Sequence, residues 1–155
     1  EAYNFCLKLL KKDGYILIGL YNSIGRIRTK FRGSLYKLFG KKYLMFFDPV
    51  LRKINPQSKK KIDAWIKDQY THPVERSHSF DEILNWFKKT KIKFVNSYPS
   101  CDFFKSVEIE NRVQNLFNQG VEANSFERIL SQIQMIFTRP GSEGGLFFFL
   151  GKNKK

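Results

Sequence analysis

The chain has few cysteines and no long apolar segment. Its two cysteines, Cys6 and Cys101, are too few and too far apart for a disulfide framework or a metal knuckle. Both thiols are therefore expected to be structural, in a reducing compartment. No run of about eighteen apolar residues is present, as a membrane-spanning helix would need. The first residues are not expected to form a signal peptide, since no apolar region follows a basic one. These absences predict a cytoplasmic protein.

Acidic residues are also scarce. The chain has 14 Asp and Glu against 28 Lys and Arg, which gives a net charge of +14. Residues 24–61 hold twelve of these cations and only one carboxylate, Asp48, so this segment carries +11 of the charge. The chain is also rich in Lys, Ile, Asn and Phe throughout, so part of the lysine content is equally consistent with ordinary solvated surface. With 42% hydrophobic residues, the composition is typical of a packed globular domain.

Three apolar segments, 15–21, 91–98 and 146–151, have the composition of strands. The first has no polar alternation, which is typical of a strand covered on both faces in an α/β fold. Helical periodicity separates the strands, at 2–11, 23–39, after Ser58, after Ser79 and after Asn124, with a further helix expected at 107–117. Glu82 and Glu127 complete N-terminal capping patterns with Ser79 and Asn124. The alternation predicts a layered α/β sheet.

The periodicity also predicts which helix faces are buried. In the first, second and last helices the expected buried residues include Phe5, Leu9, Ile27, Phe31, Leu38, Phe126, Ile129 and Ile133. We interpret residues 1–155 as one partial domain. It has two mainly helical insertions, a basic one at 23–78 that could act as a lid and a second one at 100–143.

Several short motifs are distributed along the chain. The first is the run Leu10-Lys11-Lys12-Asp13-Gly14, which precedes an apolar strand. It resembles the late helix and fifth strand of class I S-adenosylmethionine-dependent methyltransferases, although Lys12-Asp13 replaces the usual proline and glycine of that family. A bacterial subgroup is matched more closely. The matching residues are Gly19-Leu20-Tyr21-Asn22, Gly25-Arg26, Thr29, Arg32, Phe47-Asp48-Pro49, Trp65, Asp68-Gln69-Tyr70, His72-Pro73, Glu75, His78 and Gly144-Gly145-Leu146-Phe147.

The resemblance implies the carboxy-terminal half of a Rossmann-like methyltransferase sheet, with three strands of which the last is antiparallel. In the family, a glycine-rich loop between the first strand and its helix holds the S-adenosylmethionine. Here Gly144-Gly145 precedes the last strand instead, so no cofactor site is expected in this chain. The resemblance then implies that the chain is inactive alone and that an upstream half or another chain completes the sheet.

The candidate site residues form two groups. In open α/β sheets ligands bind beyond the carboxyl ends of strands, which makes Tyr21 and Asn22 candidates for binding the methyl acceptor. His72, Glu75 and His78 form the densest polar constellation. It has three readings, a hydrogen-bonded loop, an acid–base group or a metal site, and the first two are favoured over the metal.

The basic helix at 23–39 also has several readings. It is a solvated lid, it binds an anionic acceptor through Arg26, Arg28 and Arg32, or it lies on an anionic membrane at the inner face of the cell membrane. Tyr70 is a further binding candidate. A non-enzymatic basic module is the alternative to a methyltransferase, and nucleic acid is its least favoured partner because no aromatic platform for bases is evident. The acceptor, a small molecule or a glycolipid, and the choice among O-, N- and C-methylation stay open at this point.

Overall fold

The computed structural model describes residues 1–55, 57–71, 76–105, 115–137 and 144–154. Within them the fold is α/β, as predicted. The helices and strands are α1 (Ala2–Leu9), β1 (Tyr15–Asn22), α2 (Ile27–Phe39), α3 (Lys41–Phe47), α4 (Lys59–Tyr70), β2 (Ser77–His78), α5 (Phe80–Thr90), β3 (Ile92–Tyr98), α6 (Ser125–Gln134) and β4 (Leu146–Asn153). A 3-10 helix, Leu51–Lys53, connects α3 to α4.

The described strands form one mixed, open sheet in the order β2-β1-β4-β3. β4 is antiparallel to both of its neighbours, with Leu17 opposite Leu150 and Tyr98 opposite Phe148. The three predicted strands are therefore present, and the last is antiparallel as expected. The sheet also has a fourth strand that the sequence did not predict, because β2 is two residues long and pairs in parallel with the end of β1.

One face of the sheet is covered by α5. Phe147 and Phe149 alternate along β4 and are fully buried against Phe80 and Phe87 of α5. The Phe80 and Phe149 rings lie edge to face with centroids 5.2 Å apart, a favourable aromatic geometry. The Ser79 hydroxyl accepts a hydrogen bond from the Glu82 amide at 3.2 Å, which confirms the predicted cap at the start of α5. α5 thus fixes the main core of the molecule.

The prediction that β1 is covered on both faces is wrong. Ile16 is buried and Ile18 and Leu20 pack against the α5 core, whereas Leu17 on the opposite face is 55% exposed. An apolar run without alternation is typical of a doubly covered strand, but here the described residues cover only one side. The other face of β1 is left partly open to solvent.

Three helices also differ from their predicted burial. Phe5 and Leu9 of α1, Ile27, Phe31 and Leu38 of α2, and Phe126, Ile129 and Ile133 of α6 are all exposed. α1 instead contacts the core through Tyr3 and Leu7, with Leu10 packing against the core just after the helix, and α6 buries Ser131 and Gln132. The helices themselves are confirmed, because periodicity locates an apolar face, but it cannot tell what covers that face.

The helices between β1 and β2 have a small core of their own. Leu44, Leu51, Ile62 and Ile66 are buried together and join α3, the 3-10 helix and α4. The predicted helix at 107–117 falls largely outside the described residues. No helix in the described part of the chain is both long and apolar enough to cross a membrane.

Candidate functional site

An open cleft lies beyond the carboxyl end of β1. α2 contributes polar side chains to one wall, and α4 contributes aromatic and polar side chains to the other. Among the residues that the structure describes, the cleft is lined by Gly25, Arg28, Thr29, Arg32, Asp48, Val50, Trp65, Gln69, Tyr70, Ile136 and Gly144. The position agrees with the general rule that ligands bind at the carboxyl ends of strands in open α/β sheets.

Asn22 forms the turn that leads from β1 to α2. Its Oδ1 accepts hydrogen bonds from the amides of Ile24 and Gly25, at 3.0 and 2.8 Å. Its Nδ2 donates to Gln132 Oε1 at 2.8 Å and to the His78 carbonyl at 3.3 Å. An asparagine side chain offers two donor hydrogens and one acceptor oxygen. Asn22 is fully buried, so it organises the chain beneath the cleft and does not line it.

Two glycines allow the start of β4 to approach this turn closely. A Cβ on Gly25 would lie 2.8 Å from Gly145 Cα, and a Cβ on Gly145 would lie 2.6 Å from Arg26 Cγ. Gly145 also has a φ of 80°, a conformation that favours glycine. The Asn22 amide donates to the Gly145 carbonyl at 2.6 Å. The glycine pair before β4 therefore serves close packing of two segments.

Arg26 lies under the cleft. It is 1% exposed, and its guanidinium carbon stands 4.0 Å from the centre of the Tyr21 ring in a cation–π contact. Its Nη1 also donates to Gln69 Oε1 at 3.4 Å. Arg26 and Tyr21 thus join β1 to α4, and Gln69 is the one of these three residues that reaches the cleft lining.

Asp48 is the centre of the polar network in the cleft. It is 2% exposed, and its Oδ1 accepts from the amides of Val50 and Leu51 at 2.7 and 3.1 Å. Its Oδ2 accepts from Trp65 Nε1 at 3.1 Å and from the Tyr70 hydroxyl. One oxygen of the carboxylate therefore accepts from the amides at the start of the 3-10 helix. The other oxygen accepts from two aromatic side chains of α4.

These contacts determine the ionisation of Asp48. Burial by itself would raise the pKa of this carboxyl, because it disfavours the charged form. The hydrogen bonds from Tyr70, Trp65, Leu51 and Val50 outweigh burial and hold the pKa below its ordinary value. Asp48 is therefore a buried carboxylate in the neutral pH range.

Tyr70 connects Asp48 to the basic wall. Burial, followed by the hydrogen bond to Asp48 and its negative charge, raises the pKa of Tyr70 well above its ordinary value. The charge of Arg32, which lines the same cleft, acts on this pKa in the opposite direction. Arg32, Tyr70 and Asp48 thus lead from the α2 wall to the buried carboxylate.

The predicted histidine constellation is described only in part. His72 and Glu75 lie outside the described residues. His78 lies on β2, with Nδ1 3.0 Å from Glu82 Oε1 and its ring edge to face with Trp86. It does not line the cleft. No cluster of three or more metal-ligating side chains occurs among the residues that the structure describes. The catalytic and metal readings of His72, Glu75 and His78 therefore stay predictions.

The structure brings three of the predicted binding residues, Arg28, Arg32 and Tyr70, into one cleft. Three others, Tyr21, Asn22 and Arg26, lie beneath it. Sequence reasoning assigned no site role to Asp48, Trp65 or Gln69, although each belongs to a motif on which the family resemblance rests. Their presence in those motifs is the sequence feature that could have identified them as site residues.

Comparisons with known proteins add no family assignment. No protein-family model matches the chain, and no curated protein is significantly similar to it.

Proposed function

We propose that this chain forms the acceptor side of an S-adenosylmethionine-dependent methyltransferase. The observation that supports this proposal is the convergence of the motif residues. Gly25 and Arg32 follow β1, Asp48 and Tyr70 belong to the helical region, and Gly144 precedes β4, yet all of them line one cleft. Residues far apart in the sequence that meet at a strand end are typical of a binding site.

The cleft is suited to orienting a substrate. Methyl transfer from a sulfonium is an in-line displacement, so a protein accelerates it mainly by holding the acceptor in the correct geometry. Arg28, Thr29 and Arg32 present hydrogen-bond donors, and Trp65 presents an aromatic surface. The Asp48 carboxylate is occupied by four hydrogen bonds, which makes it a structural anchor for the acceptor wall.

The described residues do not fit the cofactor. Gly145 is packed against Arg26 and Gly25, so the glycine pair does not form an open cradle after a strand. The carboxylate that lines the cleft is Asp48, whose oxygens are already used. We therefore propose that another segment or another chain provides the cofactor half of the enzyme.

Calorimetry with S-adenosylmethionine tests the proposal. We expect no binding by this chain alone. We expect binding by a longer protein in which the segment encoded upstream is added. Tight binding of the cofactor by the short chain would contradict the proposal that the cofactor site lies in another segment. Absence of binding by the longer protein would contradict the methyltransferase assignment.

An exposed aromatic surface supports a second candidate function, contact with an anionic membrane. Leu38 and Phe39 at the end of α2 and Phe46 and Phe47 of α3 are exposed, Leu38 and Phe46 by 75% and 71%. Lys37, Lys41 and Lys42 flank them and are also exposed. Exposed aromatic and basic residues together are typical of helices that lie on anionic bilayers.

Vesicle flotation tests the membrane contact. We expect the chain to bind vesicles that contain phosphatidylserine and not vesicles of phosphatidylcholine alone. Phe46→Ser should reduce binding, whereas Phe104→Ser, at an equally exposed aromatic outside this surface, should not. Equal loss of binding in both variants would show that the α2–α3 surface is not the contact.

A further inference from the structure

Two arginines stand one helical turn apart on the α2 wall of the cleft. Arg28 and Arg32 are separated by four residues, so their side chains lie on the same face of the helix. Thr29 lies between them and also lines the cleft. Arg28 is steadied by its Nη1, which donates to the Ile136 carbonyl at 3.3 Å. The wall therefore presents two guanidinium groups and one hydroxyl towards the same space.

Arg32 lies beside a network that ends at a buried carboxylate. Arg32 and Tyr70 line the same cleft, close enough for the Arg32 charge to act on Tyr70, and the Tyr70 hydroxyl donates to Asp48. Asp48 is itself fixed by Trp65 and by two backbone amides. The Tyr70 oxygen retains acceptor capacity, and a guanidinium has five N–H donors. Tyr70 is therefore placed to position Arg32 while leaving donors for a ligand.

The charge of the described cleft lining favours an anion. Arg28 and Arg32 are its cations, and Asp48 is its carboxylate. Asp48 is 2% exposed and its oxygens already accept hydrogen bonds from Val50, Leu51, Trp65 and Tyr70, so the two arginines leave this lining with a net positive charge. Two guanidinium groups suit a phosphate dianion better than they suit a singly charged carboxylate. Each guanidinium can form a pair of N–H···O bonds with the phosphate oxygens.

We propose that the cleft binds a phosphoryl group of the acceptor between Arg28 and Arg32, with Asp48 and Tyr70 as positioning residues for Arg32. This inference rests on the proposed acceptor-side function and names its substrate class. Trp65 lines the same open cleft as the two arginines, so the organic part of a phosphate ester would extend along Trp65 towards solvent. Arg26, which is buried on Tyr21, has no part in this site.

Binding of inorganic phosphate to the chain tests the proposal, measured by calorimetry with ionic strength held constant by sodium chloride. Arg32→Lys keeps the charge but loses the planar fork, and we expect it to weaken phosphate binding by about tenfold. The matched control is Arg52→Lys, at an exposed position outside the cleft, which should leave the affinity unchanged. Equal affinities for the two variants would overturn the site.

Tyr70→Phe tests the positioning role, since it removes one hydroxyl and leaves the other three hydrogen bonds to Asp48. We expect it to weaken phosphate binding by roughly threefold, less than Arg32→Lys, because Arg32 is present but no longer has the Tyr70 oxygen beside it. The Arg32 Nε–H resonance should move on phosphate addition in the unmodified chain and broaden in Tyr70→Phe. A purely structural role for Tyr70 would lower the melting temperature and leave the affinity and this resonance unchanged, and that result would overturn the assignment.

Further probes separate the possible sources of the phosphoryl group. Malonate that binds as tightly as phosphate would overturn phosphoryl recognition in favour of carboxylates. Glycerol 3-phosphate and soluble dihexanoyl phosphatidic acid should each compete with inorganic phosphate, and the tighter competitor identifies a free ester or a lipid headgroup as the source. Absence of competition by both would contradict the proposal. None of these measurements uses the methyl donor, so they can fail independently of the cofactor-binding test.

Discussion

At the scale of single residues, burial decides which side chains of this chain are chemically accessible. Cys101 is fully buried and Cys6 is exposed. Burial raises the pKa of the Cys101 thiol to about 12, outweighing the opposite effect of the hydrogen bond from Ser97. Since the thiolate is the reactive form, a buried thiol with a raised pKa is inert at neutral pH.

We therefore expect the two thiols to react very differently with a disulfide reagent at pH 7. Cys6 should be modified at once, and Cys101 only after unfolding. Cys6→Ser should remove the fast phase, while Cys101→Ser should leave it intact. Two fast phases of equal amplitude in the native chain would contradict the burial of Cys101.

Asp48 predicts a specific sensitivity to acid. Its pKa in the folded chain lies below the ordinary value of 3.8, because its hydrogen bonds favour the charged form more than burial disfavours it. The unfolded chain therefore takes up this proton at a higher pH than the folded chain does. Its contribution to stability is present above about pH 3.8 and is lost as pH falls through the lowered pKa.

Chemical unfolding as a function of pH measures this contribution. Asp48→Asn should be less stable than the unmodified chain at pH 7, and its free energy of unfolding should fall less steeply below pH 4. Asp63→Asn is the matched control, because Asp63 is exposed and its ion pair with Lys41 is at the surface. An identical acid slope in Asp48→Asn and the unmodified chain would show that Asp48 is not charged in the fold.

At the scale of helices and strands, the sequence predicts where elements lie better than what they contact. Capping residues and apolar periods locate α5 and α6 well, since these signals are local. The face that α6 buries was predicted incorrectly, because it carries two polar side chains. Gln132 accepts a hydrogen bond from Asn22, and Ser131 donates one to the Cys101 carbonyl, so both are satisfied in the interior. β2 has two residues and acquires its structure only by pairing with β1.

The cleft was predictable to a similar extent. The strand-end rule and the basic helix indicate its position, and Arg28 and Arg32 are in it. Asp48, Trp65 and Tyr70 come together only because Leu44 of α3, Leu51 of the 3-10 helix and Ile66 of α4 pack into one cluster. This is a tertiary contact of the helical region, and no local pattern in the sequence predicts it.

The cap of α5 gives a prediction at this scale. Ser79→Ala should lower the free energy of unfolding by about 1 kcal/mol, because the Glu82 amide loses its acceptor, while Ser79→Asp should retain most of the stability. Ser34→Ala is the control, since this exposed mid-helix serine of α2 donates its hydroxyl hydrogen to the Lys30 carbonyl of its own helix. Thermal and urea unfolding of the three variants measure the difference. A loss in Ser34→Ala as large as in Ser79→Ala would contradict a special role for the cap.

At the scale of the whole molecule, apolar surface remains uncovered in several places. The side of β1 opposite β4 pairs, within the described residues, only at Tyr21 and Asn22 with β2. Leu17 on its open face and the apolar stripes of α1, α2 and α6 are also exposed. An unpaired strand edge beside exposed apolar residues invites pairing with another chain or segment. This surface supports the proposal that a further part completes the sheet.

We accordingly expect the isolated chain to self-associate through β1. Light scattering after size-exclusion chromatography should show a mass that increases with protein concentration. Leu17→Lys should shift the population towards the monomer, because a charge on an edge strand opposes strand pairing. Phe104→Lys removes an equally apolar exposed side chain at a position outside the sheet, so it should leave the association unchanged. Circular dichroism should be the same for both variants. If Leu17→Lys associated as strongly as the unmodified chain, the β1 edge would not be the contact, and the exposed aromatic residues at the α2–α3 surface would be the next to substitute.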